Sequence, residues 1–325
     1  MSAKAIIIRE YGGPEVLVPE DLVVRAPVEG ELLIRQTGIG VNYHDVYVRS
    51  GLYKTLTLPG IPGCEAIGVV EAVGGNVSQF QEGDRVSYVT GGYGAYASHR
   101  NVPADLAVRI PDNVTDDTVA SNLLCAMTVE MLTGPVCRIS PSMTVLVHAA
   151  AGGVGRMLCQ AISNLGATVI GTVGSAEKAD IAKANGCAQT ILYREVDFVK
   201  SVSEITNGSG VQVVYDSVGS DTFTGSAEVL DFCGHLVNFG QSSGPIKPVS
   251  MTTLATKSLT VTRPILFHYL RNPRQYKAMA DQAINKFASG QLQAPIPMPI
   301  PLEEAARAHE ILESMIGGGA LVLKP

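Results

Sequence analysis

No Cys-x-x-Cys pair occurs among the six cysteines, which stand at 64, 125, 137, 159, 187 and 233. Their scatter excludes a disulfide framework and a structural zinc site, and it suits a reducing cytosol. Basic residues are in the minority, 24 Lys and Arg against 30 Asp and Glu, for a formal net charge of −6. With no Lys/Arg block to offset that balance, a general nucleic-acid binder is disfavoured. No apolar stretch approaches the length of a membrane span, and the chain reads directly into a strand at residues 5–8 rather than into a signal peptide. Internal repeats and low-complexity segments are missing too. What remains is 325 residues, 46% hydrophobic and 17% charged, the composition of a globular enzyme of two domains.

The chain is organised around Val145-Leu146-Val147-His148-Ala149-Ala150-Ala151-Gly152-Gly153-Val154-Gly155. A β-favouring run enters small residues and glycines, and a helical pattern follows at once through Met157, Leu158, Ala161, Ile162 and Leu165. Gly166 ends it as a left-handed C-terminal cap. Strand, glycine turn and helix are what a nucleotide pyrophosphate requires: bare backbone allows close approach, and the helix N-terminus offers unpaired N–H groups with partial positive charge. Against G-x-G-x-x-G the first position is Ala150, while Gly152 and Gly155 match the second and third.

Before this turn the first 120 or so residues read as a compact barrel-like β domain, with runs at 5–8, 31–37, 66–73 and 85–88 broken by Gly-Gly, Pro-Gly and Gly-Asp turns. From 119 to 132 the pattern is helical. Regular alternation then predicts strands near 144–149, 168–173, 190–193, 211–215, 235–239 and 259–262, with helices near 154–165, 176–185, 195–206 and 221–231. Such alternation means a parallel, doubly wound sheet. A helix is expected at 272–289. Pro295, Pro297, Pro299 and Pro301 then rule out a central strand and suggest the chain returning along the first domain. A helix at 302–315 and a strand at 320–323 complete the reading.

The stretch Gly60-Ile61-Pro62-Gly63-Cys64-Glu65-Ala66-Ile67-Gly68-Val69-Val70, with Gly83-Asp84-Arg85-Val86 and the turn at 149–155, resembles the medium-chain dehydrogenase/reductase superfamily. Tyr11-Gly12-Gly13-Pro14-Glu15-Val16-Leu17, Arg49-Ser50-Gly51-Leu52-Tyr53, Val214-Tyr215-Asp216-Ser217-Val218-Gly219 and His309-Glu310-Ile311-Leu312-Glu313-Ser314 narrow the resemblance to the zeta-crystallin-type NADPH:quinone oxidoreductases. It covers nearly the whole chain. It implies a GroES-like β-barrel catalytic domain (1–122 and 290–325), an inserted Rossmann domain with a doubly wound parallel sheet (123–289), and a cleft between them for nicotinamide and substrate.

Zinc-dependent members of the superfamily carry Cys, His and Cys where this chain has Asn42, Cys64 and Cys125. A catalytic zinc needs three protein ligands and an open position, and a neutral amide at 42 is a poor one. The four-cysteine lobe is also missing, since no cysteine lies between 65 and 124. No metal is therefore expected. The resemblance makes Asn42, Tyr47 and Tyr53 the catalytic residues. Either tyrosine could stack on a quinone or donate a hydrogen bond to it, and the amide of Asn42 could order the nicotinamide ribose, order a substrate carbonyl or cap a loop. His44 stands where relatives usually carry an apolar residue. It reads either as a proton relay or as a solvent-facing histidine; His148 reads as packing.

An NAD enzyme usually carries Asp or Glu about 20 residues past the glycines. Here that position is Gly174, and nothing there repels a 2′-phosphate. Ser175 can donate a hydrogen bond and Lys178 can supply charge, while Glu177 is dissonant unless it points away. By resemblance Tyr193 contacts the same phosphate, so NADPH is the expected cofactor. The resemblance adds Asn42, Asp45, Thr128, Gly152, Gly153, Val154, Ser217, Phe239, Gly240, Ser242 and Ser243 as cofactor contacts. It also implies that the 262–267 loop, with Pro264, Leu266 and Phe267, closes over the nicotinamide. Some relatives carry an arginine toward the phosphate where this chain has Met315. The reading is thus a cytoplasmic, zinc-independent NADPH-dependent quinone reductase and a homodimer. Its rivals are an NADPH-dependent alkenal or enone reductase and, from another class, an RNA-binding or structural crystallin-like protein, against which the acidic balance argues.

Overall fold

The computed structural model describes residues 2–314 and 320–325. They divide into two units, residues 1–127 with 270–325 and residues 128–269. In the first, β1 (Ser2–Ile7) and β2 (Val18–Val23) form an antiparallel pair. The long strand β3 (Glu31–Val41) pairs with β4 (Glu65–Val73), and β4 with β5 (Arg85–Val89). Between β3 and β4 stands a helix, α1 (Tyr43–Arg49). The all-β reading misses it because seven residues with two tyrosines, a histidine and two valines carry no helical period. β6 (His99–Pro103), β7 (Val108–Arg109), α2 (Asp116–Val119) and α3 (Leu123–Met131) follow.

The second unit alternates as the sequence predicts: β8 (Thr144–Val147), α4 (Gly153–Asn164), β9 (Thr168–Val173), α5 (Ala176–Ala184), β10 (Gln189–Leu192), α6 (Phe198–Ile205), β11 (Val211–Asp216), α7 (Phe223–Glu228) and β12 (Leu230–Asn238). After α8 (Met251–Ala255), β13 (Thr260–Thr262) and α9 (Leu266–Tyr269) close it. The strand order β10-β9-β8-β11-β12-β13, with every pairing parallel, is the doubly wound nucleotide-binding topology. Its strands are buried on both faces, hence the continuous apolar run of β8. Leu146, Ile170, Val214, Leu230 and Leu236 make its core.

The returning segment supplies α10 (Pro273–Ala288), β14 (Met298–Pro301), α11 (Ala305–Glu313) and β15 (Leu321–Lys324). β15 pairs antiparallel with β3, and the proline-rich β14 runs parallel to β15 at the sheet edge, where a missing N–H is tolerated. The helix expected over 302–315 opens with a 3-10 turn at Leu302–Glu304, and Met315 lies outside the described residues.

The expected domain limits, 122/123 and 289/290, differ from the divisions after Met127 and Tyr269. α10 groups with the first unit for a physical reason. The buried Tyr276 hydroxyl donates to the Leu106 carbonyl (2.6 Å) and accepts from the Val89 N–H (3.0 Å). Asn272 caps this helix by accepting from Arg274 N (2.9 Å), and Pro273 stands at its first position, where a proline costs no hydrogen bond. Tyr276→Phe leaves two backbone groups without a partner. It is expected to lower unfolding stability by about 2–3 kcal/mol in urea titration; an unchanged midpoint would mean that α10 is anchored by apolar contacts alone.

Candidate active site and cofactor-binding elements

Two buried carboxyl groups organise the first unit. Asn42 caps α1 in a capping box with Asp45, and its N–H donates to Asp45 Oδ2 (2.9 Å). Its Nδ2 donates to Glu65 Oε1 (2.8 Å), and Glu65 Oε2 accepts from Leu124 N at the start of α3 (2.8 Å). Backbone and side chain of Asn42 are therefore held by different acids. A side chain at Gly40 would strike the Glu65 carboxyl, so a glycine in β3 makes room for it. Burial pushes Glu65 up to about 8 and Asp45 up to about 7, against hydrogen bonds that favour their ionised forms. Asp45, expected among the cofactor contacts, has no exposed surface. Its Oδ2 serves the fold.

A one-way chain of donors reaches Asp45 from the C-terminal helix. Arg49 bridges Glu313 through both terminal nitrogens (2.8 and 2.9 Å) and faces His309 Nδ1 at 3.3 Å. A guanidinium only donates, so Nδ1 accepts and the imidazole proton lies on Nε2. From there it donates to Tyr96 Oη (3.0 Å), whose own proton goes to Asp45 Oδ2 (3.3 Å). Burial, and next the Arg49 charge, hold His309 down to about 3, so it stays neutral as this chain requires.

Tyr47 and Tyr53 are brought together, ring centroids 5.0 Å apart, with Tyr43 5.3 Å from Tyr47. His44, whose solvent-facing reading fails, is half-buried among them. Its ring lies 5.6 Å from Tyr53 and stacks on Tyr93 at 5.9 Å with 15° between planes. Burial lowers it to about 4, so the imidazole is neutral near pH 7.

In the second unit, Ala149 adopts a left-handed conformation (φ 52°) that swings the chain from β8 into α4. A side chain at Gly155 would strike the Ala149 carbonyl oxygen, which is why the third glycine position is filled while the first is alanine. Gly152 is the N-cap, so Gly153, Val154 and Gly155 open the helix with N–H groups that have no partner within it. Arg156, which the sequence reading passed over, is buried and clamps the Ala151 carbonyl through Nε (3.3 Å) and Nη2 (2.9 Å). His148 is buried between Thr172 Oγ1 and Ser226 Oγ, each at 2.9 Å, as its packing role predicts.

At the end of β9, a side chain on Gly174 would meet Tyr193 Oη at 3.2 Å and Arg194 Nε at 3.4 Å. Both side chains converge on the corner where an acid would exclude a 2′-phosphate, and Arg194 is a cation the sequence reading missed. Adjacency to Tyr193 was its one signal. Ser175 caps α5 by accepting from Lys178 N (3.4 Å), and Glu177 turns back to Ser175 (3.4 Å) rather than away. Ser217 and Gly240 abut at the ends of β11 and β12, and Ser242 N donates to Ser217 O (3.2 Å). Ser243 braces its own loop, donating to Val218 O (2.9 Å), while Phe239 N donates to Asp216 O (2.8 Å). Buried Asp216 organises this corner by accepting from Val218 N, Gly219 N and Thr222 Oγ1. Thr128, Pro264 and Leu266 are buried and Phe267 is half-buried.

Residues 28–112 match the alcohol dehydrogenase GroES-like domain and residues 153–285 the zinc-binding dehydrogenase family. Quinone oxidoreductase 1 of Escherichia coli is 41% identical over 99% of this chain and 100% of its own. The chain belongs to the quinone oxidoreductase family. An Escherichia coli quinone oxidoreductase crystallised with NADPH superimposes with a TM-score of 0.96 (41% identity, 99% of this chain, 100% of that one). A 2-haloacrylate reductase structure gives 0.86 (37% identity, 99% of both chains). This member of the quinone oxidoreductases thus has the medium-chain dehydrogenase/reductase fold, with its GroES-like and Rossmann parts.

The donor set does not fit the zinc of the matched dehydrogenase family. Asn42 spends its amide nitrogen on Glu65, and burial with the nearby Asp45 and Glu65 charges pushes the Cys64 thiol well above its usual range, against the thiolate a metal requires. The buried acids leave a signature in stability. Both hold their protons to higher pH in the folded protein than in the unfolded chain, so the stability they contribute is full below about pH 4 and declines as pH rises toward 7 and 8. Glu65→Gln, which mimics the protonated acid, is expected to flatten this decline: between about pH 5 and 8 wild type should lose on the order of 1–3 kcal/mol relative to the variant. Parallel urea-denaturation profiles would mean that Glu65 titrates at its ordinary value.

Proposed function

We propose that this protein is an NADPH-dependent, zinc-independent quinone reductase; its relatives are named quinone oxidoreductases, and one was crystallised with NADPH. The observation that carries the reading is the cluster of Tyr43, Tyr47 and Tyr53 on and beside the helix that Asn42 caps. When bound, NADPH supplies a hydride, and a quinone accepts it without a Lewis acid because the product is a stabilised phenolate. The tyrosine rings offer a planar acceptor stacking faces and hydroxyl donors. Asn42, with Nδ2 held by Glu65 and its side chain capping α1, presents a fixed amide that would order the nicotinamide ribose. Gly152, Gly153 and Val154 would hold the pyrophosphate at the N-terminus of α4. Gly174, Ser175, Lys178, Tyr193 and Arg194 would hold the 2′-phosphate, and positioning supplies much of the rate.

Alkene reduction is the second reading, favoured by the 2-haloacrylate reductase likeness. Metal analysis followed by NADPH oxidation across quinones, enones and alcohols separates the two, and activity confined to enones would displace the first. β10 and β13 are the two ends of the six-strand order among the described residues, and an open edge of this kind can pair with a second copy, in keeping with a homodimer; sedimentation tests it. No described helix is long and apolar enough to cross a membrane, and none of the six cysteines forms a disulfide, which supports the cytoplasmic reading.

Three outcomes are expected. Lys178→Ala should raise KM for NADPH about tenfold and leave NADH nearly untouched, since a charge-assisted contact to a remote phosphate contributes about 1.5–3 kcal/mol, equally in ground and transition states. Gly174→Asp should invert the preference; equal KM values for the two cofactors in wild type would show the corner misread. Chelators should leave the rate unchanged, and activity lost on chelation and restored by zinc would refute the metal-free mechanism.

A further inference from the structure

Two-electron reduction of a quinone consumes one hydride and one proton, and the proton must reach an aromatic site from water. One hydrogen-bonded path in the first unit connects the two. Thr55 is exposed. Its hydroxyl is hydrogen-bonded to the hydroxyl of Tyr93, a residue only 6% exposed. Tyr93 Oη in turn lies 3.2 Å from His44 Nε2, and the His44 ring packs on Tyr93 and beside Tyr53. Tyr93 is held in the left-handed region (φ 54°), between Gly92 and Gly94, a costly conformation for an aromatic residue and one found where function demands a fixed side chain.

We propose that Thr55, Tyr93 and His44 form the proton-entry path of the reaction, with His44 as the residue that protonates the reduced acceptor. The inference rests on the quinone-reductase reading above. In the step, His44 gives the proton of its other ring nitrogen to the anionic oxygen left by hydride addition. Its Nε2 takes the phenolic proton of Tyr93, the Tyr93 oxygen takes the hydroxyl proton of Thr55, and Thr55 is reprotonated by water, which leaves as hydroxide to bulk solvent. Each group ends neutral, and the imidazole has exchanged one tautomer for the other; rotation of the imidazole and the two hydroxyls then restores the starting state for the next turnover. No imidazolium is stored, which agrees with burial holding His44 down to about 4 and Tyr93 up to about 12. Either direction of the chain satisfies every hydroxyl, as a reversible relay requires. An apolar residue at 44, usual among relatives by resemblance, could not serve, so the path would be a property of this chain.

The test uses the full-length protein with NADPH and a soluble benzoquinone. Tyr93→Phe removes the relay hydroxyl and keeps the ring. It is expected to lower kcat about tenfold to a hundredfold, the range of positioned proton transfer, with KM for NADPH unchanged and a larger solvent deuterium isotope effect. Thr55→Val, at an exposed position with little bearing on folding, should move both quantities in the same direction by less. In the cofactor-free protein, nitrogen NMR should show a neutral His44 whose Nε2 resonance shifts in Tyr93→Phe. Variants that match wild type in kcat and solvent isotope effect would overturn the path, and so would a fall in kcat with an unchanged solvent isotope effect, since misplacement of the ring would do that. A wild-type protein that oxidises no NADPH with any quinone would instead defeat the functional reading, leaving the NMR result to report on the chain.

Discussion

The first unit depends on two carboxyl groups that burial keeps from ionising easily, Asp45 and Glu65. An isolated buried carboxylate is unaffordable, so each is surrounded by donors that the fold must supply in fixed places. For Glu65 these are the Asn42 amide and the first turn of α3. For Asp45 they are the Asn42 N–H and a hydroxyl that is itself aligned by His309 and Arg49. The direction of every proton in that chain is set at one end by a group that can only donate. An exposed salt bridge would contribute little. Here the guanidinium is buried, and its orientation fixes a histidine tautomer and, through it, the cap of the helix that carries Tyr47.

The Rossmann part was legible because its signals are periodic. Apolar runs buried on both faces alternate with amphipathic helices, and the glycines mark places where backbone meets backbone, as Gly155 does against Ala149. The barrel part was legible as a class, less so in detail. α1 is too short for its period to register, and its tyrosines, histidine and valines are poor helix formers. The Pro-rich segment read correctly as unfit for a central strand, and it lies at the edge.

Site residues divide in the same way. Asn42, Tyr47, Tyr53 and the Gly174 corner were singled out by resemblance and by the missing acid, and both kinds of signal are local. Arg194 and Arg156 were missed because a surface-looking arginine beside a turn has no pattern to distinguish it from a solvated charge. His44 was left between two readings for the opposite reason. Its partners Thr55 and Tyr93 are distant in sequence, and only the close approach of the two loops brings them to it. Asp45 looked like a ligand contact and proved to be internal. A carboxylate three residues after an asparagine is also a capping box.

The first unit is discontinuous in sequence, and its strand β15 pairs with β3, at least 280 residues earlier in the chain. On the ribosome the second unit emerges whole while the first still lacks the strand that adjoins β3 and the helix that carries His309. Until those last residues appear, Arg49 and Asp45 have neither Glu313 nor the His309-aligned hydroxyl to satisfy them. The nascent first unit therefore carries unmatched charge in its interior. Its completion is a long-range event, so a chain synthesised only as far as residue 300 would hold a finished nucleotide-binding sheet and a barrel that cannot yet close its core.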